Sequence, residues 1–147
     1  MSAEWLRFLR WTELGSTLFM TGLIWFVQVV HYPLLGRVGS AEYTAYQAAH
    51  MTRTTWVVAA PMLVEVGACA ALVVVAGQPA WQRWPGVILL ATVWLSTMLL
   101  QIPLHDILTR GFDPEVHARL VGTNWLRTVA WSLRGLLCLA AAWRASP

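Results

Sequence analysis

Lysine is absent from this chain, and charge of either sign is scarce: ten basic residues, all arginine, and seven acids stand among 147 residues. With 12% charged residues, 58% hydrophobic residues and a mean hydropathy of +0.57, there is too little polar side chain to cover a soluble domain. The formal charge of +3 is small and dispersed, which excludes a nucleic-acid-binding surface. Only two cysteines occur, Cys69 and Cys138, each inside an apolar run. They read as small buried hydrophobes, which excludes a disulfide framework or a cysteine metal pair. What is left is an integral membrane protein whose first partner is the lipid bilayer.

The apolar runs set the expected elements. Met1 to Trp11 mixes Trp5 and Trp11 with Arg7 and Arg10 and reads as a short amphipathic segment at the bilayer surface. It does not read as a signal peptide, because the following apolar run is too long and has no small-residue cleavage site. Leu14 to Tyr32 offers 19 residues without formal charge, close to the ~20 that cross a hydrocarbon core. Pro33, Gly36 and Gly39 break the pattern, and Ser40 with Glu42 marks a new helix from Ala41 to Ala76. At about 54 Å it exceeds a bilayer, so Thr55 to Ala76 is the expected crossing, Pro61 a kink, and the Tyr43 to His50 portion a projection or cap. Gly77-Gln-Pro79 and Trp81-Gln-Arg83-Trp84-Pro85 read as a short wet turn flanked by interfacial Trp, followed by a third crossing, Gly86 to Leu100, and a fourth over Thr123 to Trp143. The predicted fold is all-α: one membrane domain over 1–147, a four-transmembrane-helix bundle of two repeated hairpins (12–76 and 85–144). Polar loops at 34–49 and 104–122 cap one membrane face.

The repeat reading rests on particular residues. His31-Tyr-Pro33-Leu34 followed by His50-Met-Thr-Arg53-Thr54 has a counterpart in Gln101-Ile-Pro103-Leu104 followed by Asn124-Trp-Leu-Arg127-Thr128. Proline to arginine is 20 residues in the first copy and 24 in the second, the difference fitting a Gly111-Phe-Asp-Pro114 turn. Each Pro has a hydrogen-bonding side chain two residues earlier, and each Arg has one three residues earlier. A shared order of this kind points to duplication.

Centring each run in the bilayer puts His31, Gln101 and His105 at helix ends and His50, Arg53, Asn124 and Arg127 where helices enter, all at one membrane face. Imidazole, amide and guanidinium delivered from several segments to one depth are the expected site, with tryptophans for its walls. His50, or His31 as second choice, is the expected base, Arg53 and Arg127 the oxyanion holders, and Asn124 an orienting group. If a metal is present, His31, His50, His105, Asp106 and Glu65 are the candidate ligands, a set suited to copper, iron or zinc. Asn124 opposite His50 argues against a symmetric two-histidine haem site. The cofactor is left open between copper, iron and none. Glu65 and Arg134 fall deep in the bilayer, where charge is costly, and are expected to face inward and pair.

The Pro103-Leu104-His105-Asp106-Ile-Leu108 segment, the Asn124-Trp-Leu-Arg127-Thr128 segment and four crossings in a chain of this length resemble the anthrone oxygenase-like family of small membrane proteins (DUF1772 type). The family shows Asn where His105 stands. The resemblance implies oxidation of a lipophilic phenol, quinol or anthrone-type substrate by dioxygen, in some members without a recognised cofactor. Two other classes are weighed beside this oxygenase or oxidoreductase: a metal- or haem-binding module, and a non-catalytic subunit of a membrane complex. A hydrophobic small molecule is the expected partner, and homo-oligomerisation is left open. Arg7, Arg10, Arg83 and Arg144 flank the termini side, which favours cytoplasmic termini, expected in a bacterial inner (plasma) membrane.

Overall fold

The structure is a computed structural model that describes residues 2–75 and 78–144. All regular structure among them is helical. Helix α1 (Ala3–Phe26) runs through a π-helical turn, Val27–His31, into the short α2 (Tyr32–Leu35). After α3 (Tyr43–Val75), α4 (Ala80–Ser96) runs through a second π turn, Thr97–Gln101, into α5 (Ile102–Leu108), and α6 (Pro114–Arg144) completes the chain. Three rods, Ala3–Leu35, Tyr43–Val74 and Ala80–Leu108, are long and apolar enough to cross a membrane, and the protein is an integral membrane protein.

Several boundaries differ from the sequence expectation. The amphipathic segment at 1–11 is not separate: no Gly or Pro interrupts Ala3 to Trp11, Ser2 caps the helix by accepting from the Trp5 amide, and α1 is one rod. Of the wet turn expected over 77–85, residues 78 and 79 lie outside the helices, residue 77 lies outside the described residues, and 81–85 belong to α4, which starts just after Pro79. The capping loops are shorter than 34–49 and 104–122, because α2, α5 and the ends of α3 and α6 extend into them. The turn at 111–114 forms where expected. Gly111 takes a φ of 150°, and the Asp113 carboxylate caps α6 by accepting from the Glu115 and Val116 amides, with Pro114 at the first helical position.

The two π turns share a cause. The amides of Tyr32 and Ile102 donate to the carbonyls of Val27 and Thr97, five residues back, and each is followed at once by a proline, Pro33 or Pro103. Proline has no amide hydrogen, and its ring crowds the carbonyl four residues earlier, so a helix that continues through it widens just before it. The wider turn carries Gln28, Tyr32, Gln101, Leu104 and His105 to buried positions.

Helix α1 packs along both α3 and α6, and α6 also packs along α4, whereas α3 and α4 barely meet. The central core gathers Met20, Ile24, Met62, Val93, Ala130 and Trp131, and a second core under the turns gathers Tyr32, Leu35, Tyr43, Leu104, Leu108 and Leu120. Helix α6 is polar inward and apolar outward. Asn124, Arg127, Thr128 and Arg134 are buried, while Leu126, Val129, Leu133, Leu136 and Leu139 are exposed.

Candidate functional site

The π turns and α3 bring three histidines and a tyrosine together. His31 Nε2 lies 2.9 Å from His50 Nδ1, which Thr54 Oγ1 also approaches at 3.0 Å from one turn along α3. The His31 and His50 rings stack with centroids 4.5 Å apart, and the His105 ring is 5.1 Å from that of His50. His105 is held at both nitrogens: Nδ1 is 2.8 Å from Gln47 Nε2, and Nε2 is 2.9 Å from the Tyr32 hydroxyl. The same Gln47 nitrogen reaches the His105 carbonyl at 3.4 Å. A carbonyl only accepts, so the amide nitrogen of Gln47 belongs on that side and donates to both groups. His105 then carries its proton on Nε2 and donates to Tyr32, which leaves the tyrosine O–H free to donate elsewhere.

That free direction opens on a cavity of about 330 Å³. Its walls are mostly apolar, among them Met20, Ile24, Val58, Met62 and Trp94, and its polar end presents Tyr32, His50, Thr54, Gln101, His105 and Arg127. Arg127 is 9% exposed, with its guanidinium 5.3 Å over the Trp131 ring and beside the Tyr32 hydroxyl. Its Nε has no hydrogen-bond partner, and the ion pairs among the described residues are all made by Arg134 instead. Arg127 is thus a buried guanidinium with no carboxylate beside it, at the polar end of an apolar cavity.

One layer deeper lies a saturated polar cluster. Arg134 donates from Nε to Glu65 Oε1 at 2.7 Å, from Nη2 to Glu13 Oε1 at 2.9 Å and from Nη1 to the Gly86 carbonyl at 2.6 Å. Thr17 donates to the same Glu65 oxygen at 2.7 Å, and the Trp131 indole donates to the other at 3.1 Å. Gly86 leaves room for this contact, since an added Cβ would stand 3.3 Å from Arg134 Nη1. The expected Glu65–Arg134 pair therefore forms, and Glu13, which sequence reasoning passed over, completes it. Glu13, Thr17 and Thr21 stand at helical spacing along α1, and that polar stripe was the available signal.

The expected site residues separate into two groups. His31, His50, His105 and Arg127 come together. Arg53 does not: it is exposed, on a helix whose inward face passes through Gln47, His50 and Thr54. Asn124 is fully buried but outside the cavity, donating to Gln28 Oε1 at 2.8 Å while Gln28 donates to the Val121 carbonyl at 3.2 Å, a clamp between α1 and α6. Gln101, a cavity residue, clamps the second π turn to α6 by donating to Thr123 Oγ1 at 3.0 Å.

The expected metal set is also divided. Asp106 is exposed, Glu65 serves Arg134, and both His105 nitrogens are occupied, so among the described residues no three candidate side chains converge to hold a metal. His117 is structural. Its Nε2 donates to the Tyr32 carbonyl at 2.8 Å, and its ring lies against Gly36. Sequence reasoning missed Tyr32 and Gln47 as members of the site, although Tyr32 stands inside the His31-Tyr-Pro33 motif. Comparison with known proteins finds no matching family model, no matching curated protein and no matching solved structure.

Proposed function

We propose that the protein is an intramembrane oxygenase or oxidoreductase for a lipophilic aromatic molecule bearing an acidic hydroxyl or enol, of the phenol, quinol or anthrone type. The observation that carries this reading is Arg127, a buried cation without an acid partner at the polar end of a cavity otherwise fit for an apolar ring. The aromatic body takes the apolar walls, and its oxygen takes the guanidinium and the Tyr32 O–H. In the tautomer where His50 donates Nδ1–H to His31, His50 Nε2 keeps a lone pair and acts as the base. The proton it accepts leaves through the Nδ1···Nε2 contact to His31, which is half-buried and nearer the aqueous face.

The resulting anion is electron-rich enough to reduce dioxygen, the oxidant. An anthrone-type ring loses two hydrogens from its methylene carbon, which takes one oxygen atom, and the second oxygen atom leaves as water. A quinol instead gives two electrons and two protons to dioxygen, yielding quinone and hydrogen peroxide. Water is kept from the anion by the apolar walls, where the donors act more strongly than in solution.

This reading takes α6 as a fourth crossing and the hairpins 12–76 and 85–144 as duplicated, with the site on the face opposite cytoplasmic termini. The outward apolar stripe of α6 and the two π turns, each ending two residues before a proline, support it. The test is oxidation of an anthrone and of a lipophilic hydroquinone by protein in lipid nanodiscs, followed by visible absorption and oxygen uptake, with metal content measured on the same samples. His50→Ala and Arg127→Met should each lose at least ~100-fold in turnover, the scale of a general base or an oxyanion donor, while Arg53→Ala keeps it. Joint loss of metal and turnover in His50→Ala and His105→Ala transfers the chemistry to a metal, and turnover unchanged in both Arg127→Met and His50→Ala overturns the reading.

A further inference from the structure

The Arg127 cavity is not closed on its α3–α4 side. These two helices barely meet, and between them a second hollow of about 500 Å³ runs away from the histidines. Its lining comes only from α3 and α4, with Leu63, Val66, Ala70 and Val74 facing Val87, Leu90, Ala91 and Trp94. Leu63 and Trp94 line both hollows, so the two adjoin at that pair. The α3 residues along them extend from His50 to Val74, about 36 Å at 1.5 Å per residue, comparable to the ~30 Å hydrocarbon thickness of a bilayer. The two hollows lie end to end, polar at the upper end and apolar for the rest, and the lower one is open sideways beside the exposed Ala70 and Ala91.

Its shape is that of an amphiphile aligned with the lipids. A compact fused ring occupies the upper hollow alone and gives the lower one no purpose. We propose that the ligand with its oxygen on Arg127 carries a linear isoprenoid or alkyl tail that passes Leu63 and Trp94, lies in the α3–α4 groove, and enters sideways from the bilayer. This rests on the reading of the Arg127 cavity as the ring site and narrows its substrate class to tailed hydroxyaromatics, such as a prenylated quinol. Lipid tails are as apolar as the groove, so the groove adds little affinity by desolvation. Its contribution is register: it holds the tail parallel to the membrane normal and thereby the ring beneath Arg127.

The experiment compares an unsubstituted hydroxynaphthoquinone with the same ring bearing a decyl tail, each titrated by quenching of tryptophan fluorescence in nanodiscs of fixed lipid composition. Wild type is set against Ala91→Phe and Ala70→Phe, which place bulk in the groove at exposed positions where folding is undisturbed. Because every variant is measured in the same bilayer, partition of the tail into lipid cancels. The expected result is a tenfold or greater loss of affinity for the tailed ring in Ala91→Phe or Ala70→Phe, with the tailless ring unaffected. Equal affinities for the tailed ring in wild type and both variants overturn the tail assignment, and so does a groove filled by tightly co-purifying phospholipid that the tailed ring fails to displace. Failure of the parent reading looks different: Arg127→Met then leaves binding of the tailless ring unchanged.

Discussion

Replacing Arg134 by methionine should be among the most damaging single changes available in this chain. The side chain is fully buried and donates three charge-assisted hydrogen bonds of 2.6 to 2.9 Å, to two carboxylates on different helices and to a backbone carbonyl on a third. Such bonds contribute ~1.5–3 kcal/mol each when intact, but desolvation of the ions offsets much of that sum. The decisive quantity is what the substitution leaves behind. Glu13 and Glu65 would face each other with no cation between them, and removing one partner of a buried ion pair costs ~3–5 kcal/mol. For a chain of this length that corresponds to a fall of roughly 10–20 °C in the thermal transition. Neutralising the acids as well should reverse most of it, because replacing a whole buried ion cluster by uncharged groups is close to neutral. Thermal unfolding in mild detergent, followed through the intrinsic tryptophan fluorescence, compares Arg134→Met, the Glu13→Gln and Glu65→Gln pair, and the triple variant. Recovery of at least half of the lost transition temperature in the triple variant is expected, and simple additivity of the three changes would refute the coupling.

Arg127→Met should behave in the opposite way, leaving the ligand-free protein as stable as wild type or up to ~1 kcal/mol more so while turnover is lost, since no acid is stranded; a transition lowered by more than a few degrees would contradict an unpaired Arg127. Gly36→Ala places a Cβ 2.8 Å from the His117 ring, which its bond to the Tyr32 carbonyl prevents from moving aside, so a loss of ~1–3 kcal/mol is expected in the same melt. His31→Gln should retain binding of the hydroxynaphthoquinone but slow turnover, with a larger solvent isotope effect than wild type, and unchanged kinetics would remove His31 from the proton route. Reporter fusions at residue 147 and within 106–118 should read cytoplasmic and external respectively, and a cytoplasmic signal from the second would invert the orientation.

The membrane class and the inward pairing of Glu65 with Arg134 were legible in the sequence because both follow from the expense of charge in hydrocarbon. The meeting of His31, His50, His105 and Arg127 was legible as a shared depth. Which face of its helix each residue takes was not, and Arg53 and Asn124 were assigned to the cavity for that reason. Depth follows from counting along an apolar run, but facing depends on which neighbour covers each side of a helix: α3 turns Gln47, His50 and Thr54 inward and leaves Arg53 exposed, and α6 turns Asn124 onto Gln28 of the first π turn. Glu13 was hidden by a different effect. Placed at the edge of an uncharged run, it looked like the border of a crossing, although the polar stripe it forms with Thr17 and Thr21 points into the bundle where Arg134 lies.

The inverted polarity of α6 also bears on how the protein is made. Read alone by the insertion machinery, a segment carrying Asn124, Arg127 and Arg134 is a poor candidate for the bilayer, with Arg134, near mid-membrane, adding ~2.5–3.5 kcal/mol of unfavourable transfer. The groups that offset Arg134 are Glu13 and Glu65, which emerge from the ribosome more than sixty residues earlier on α1 and α3. If α6 crosses as proposed, the first hairpin acts as a template that must wait, acids uncovered, until the last helix arrives. Biogenesis would then be all-or-none: a ribosome stalled before residue 134, or a chain lacking Glu13 and Glu65, would leave α6 outside the membrane, and quality control would see an unfinished protein rather than a weakened one.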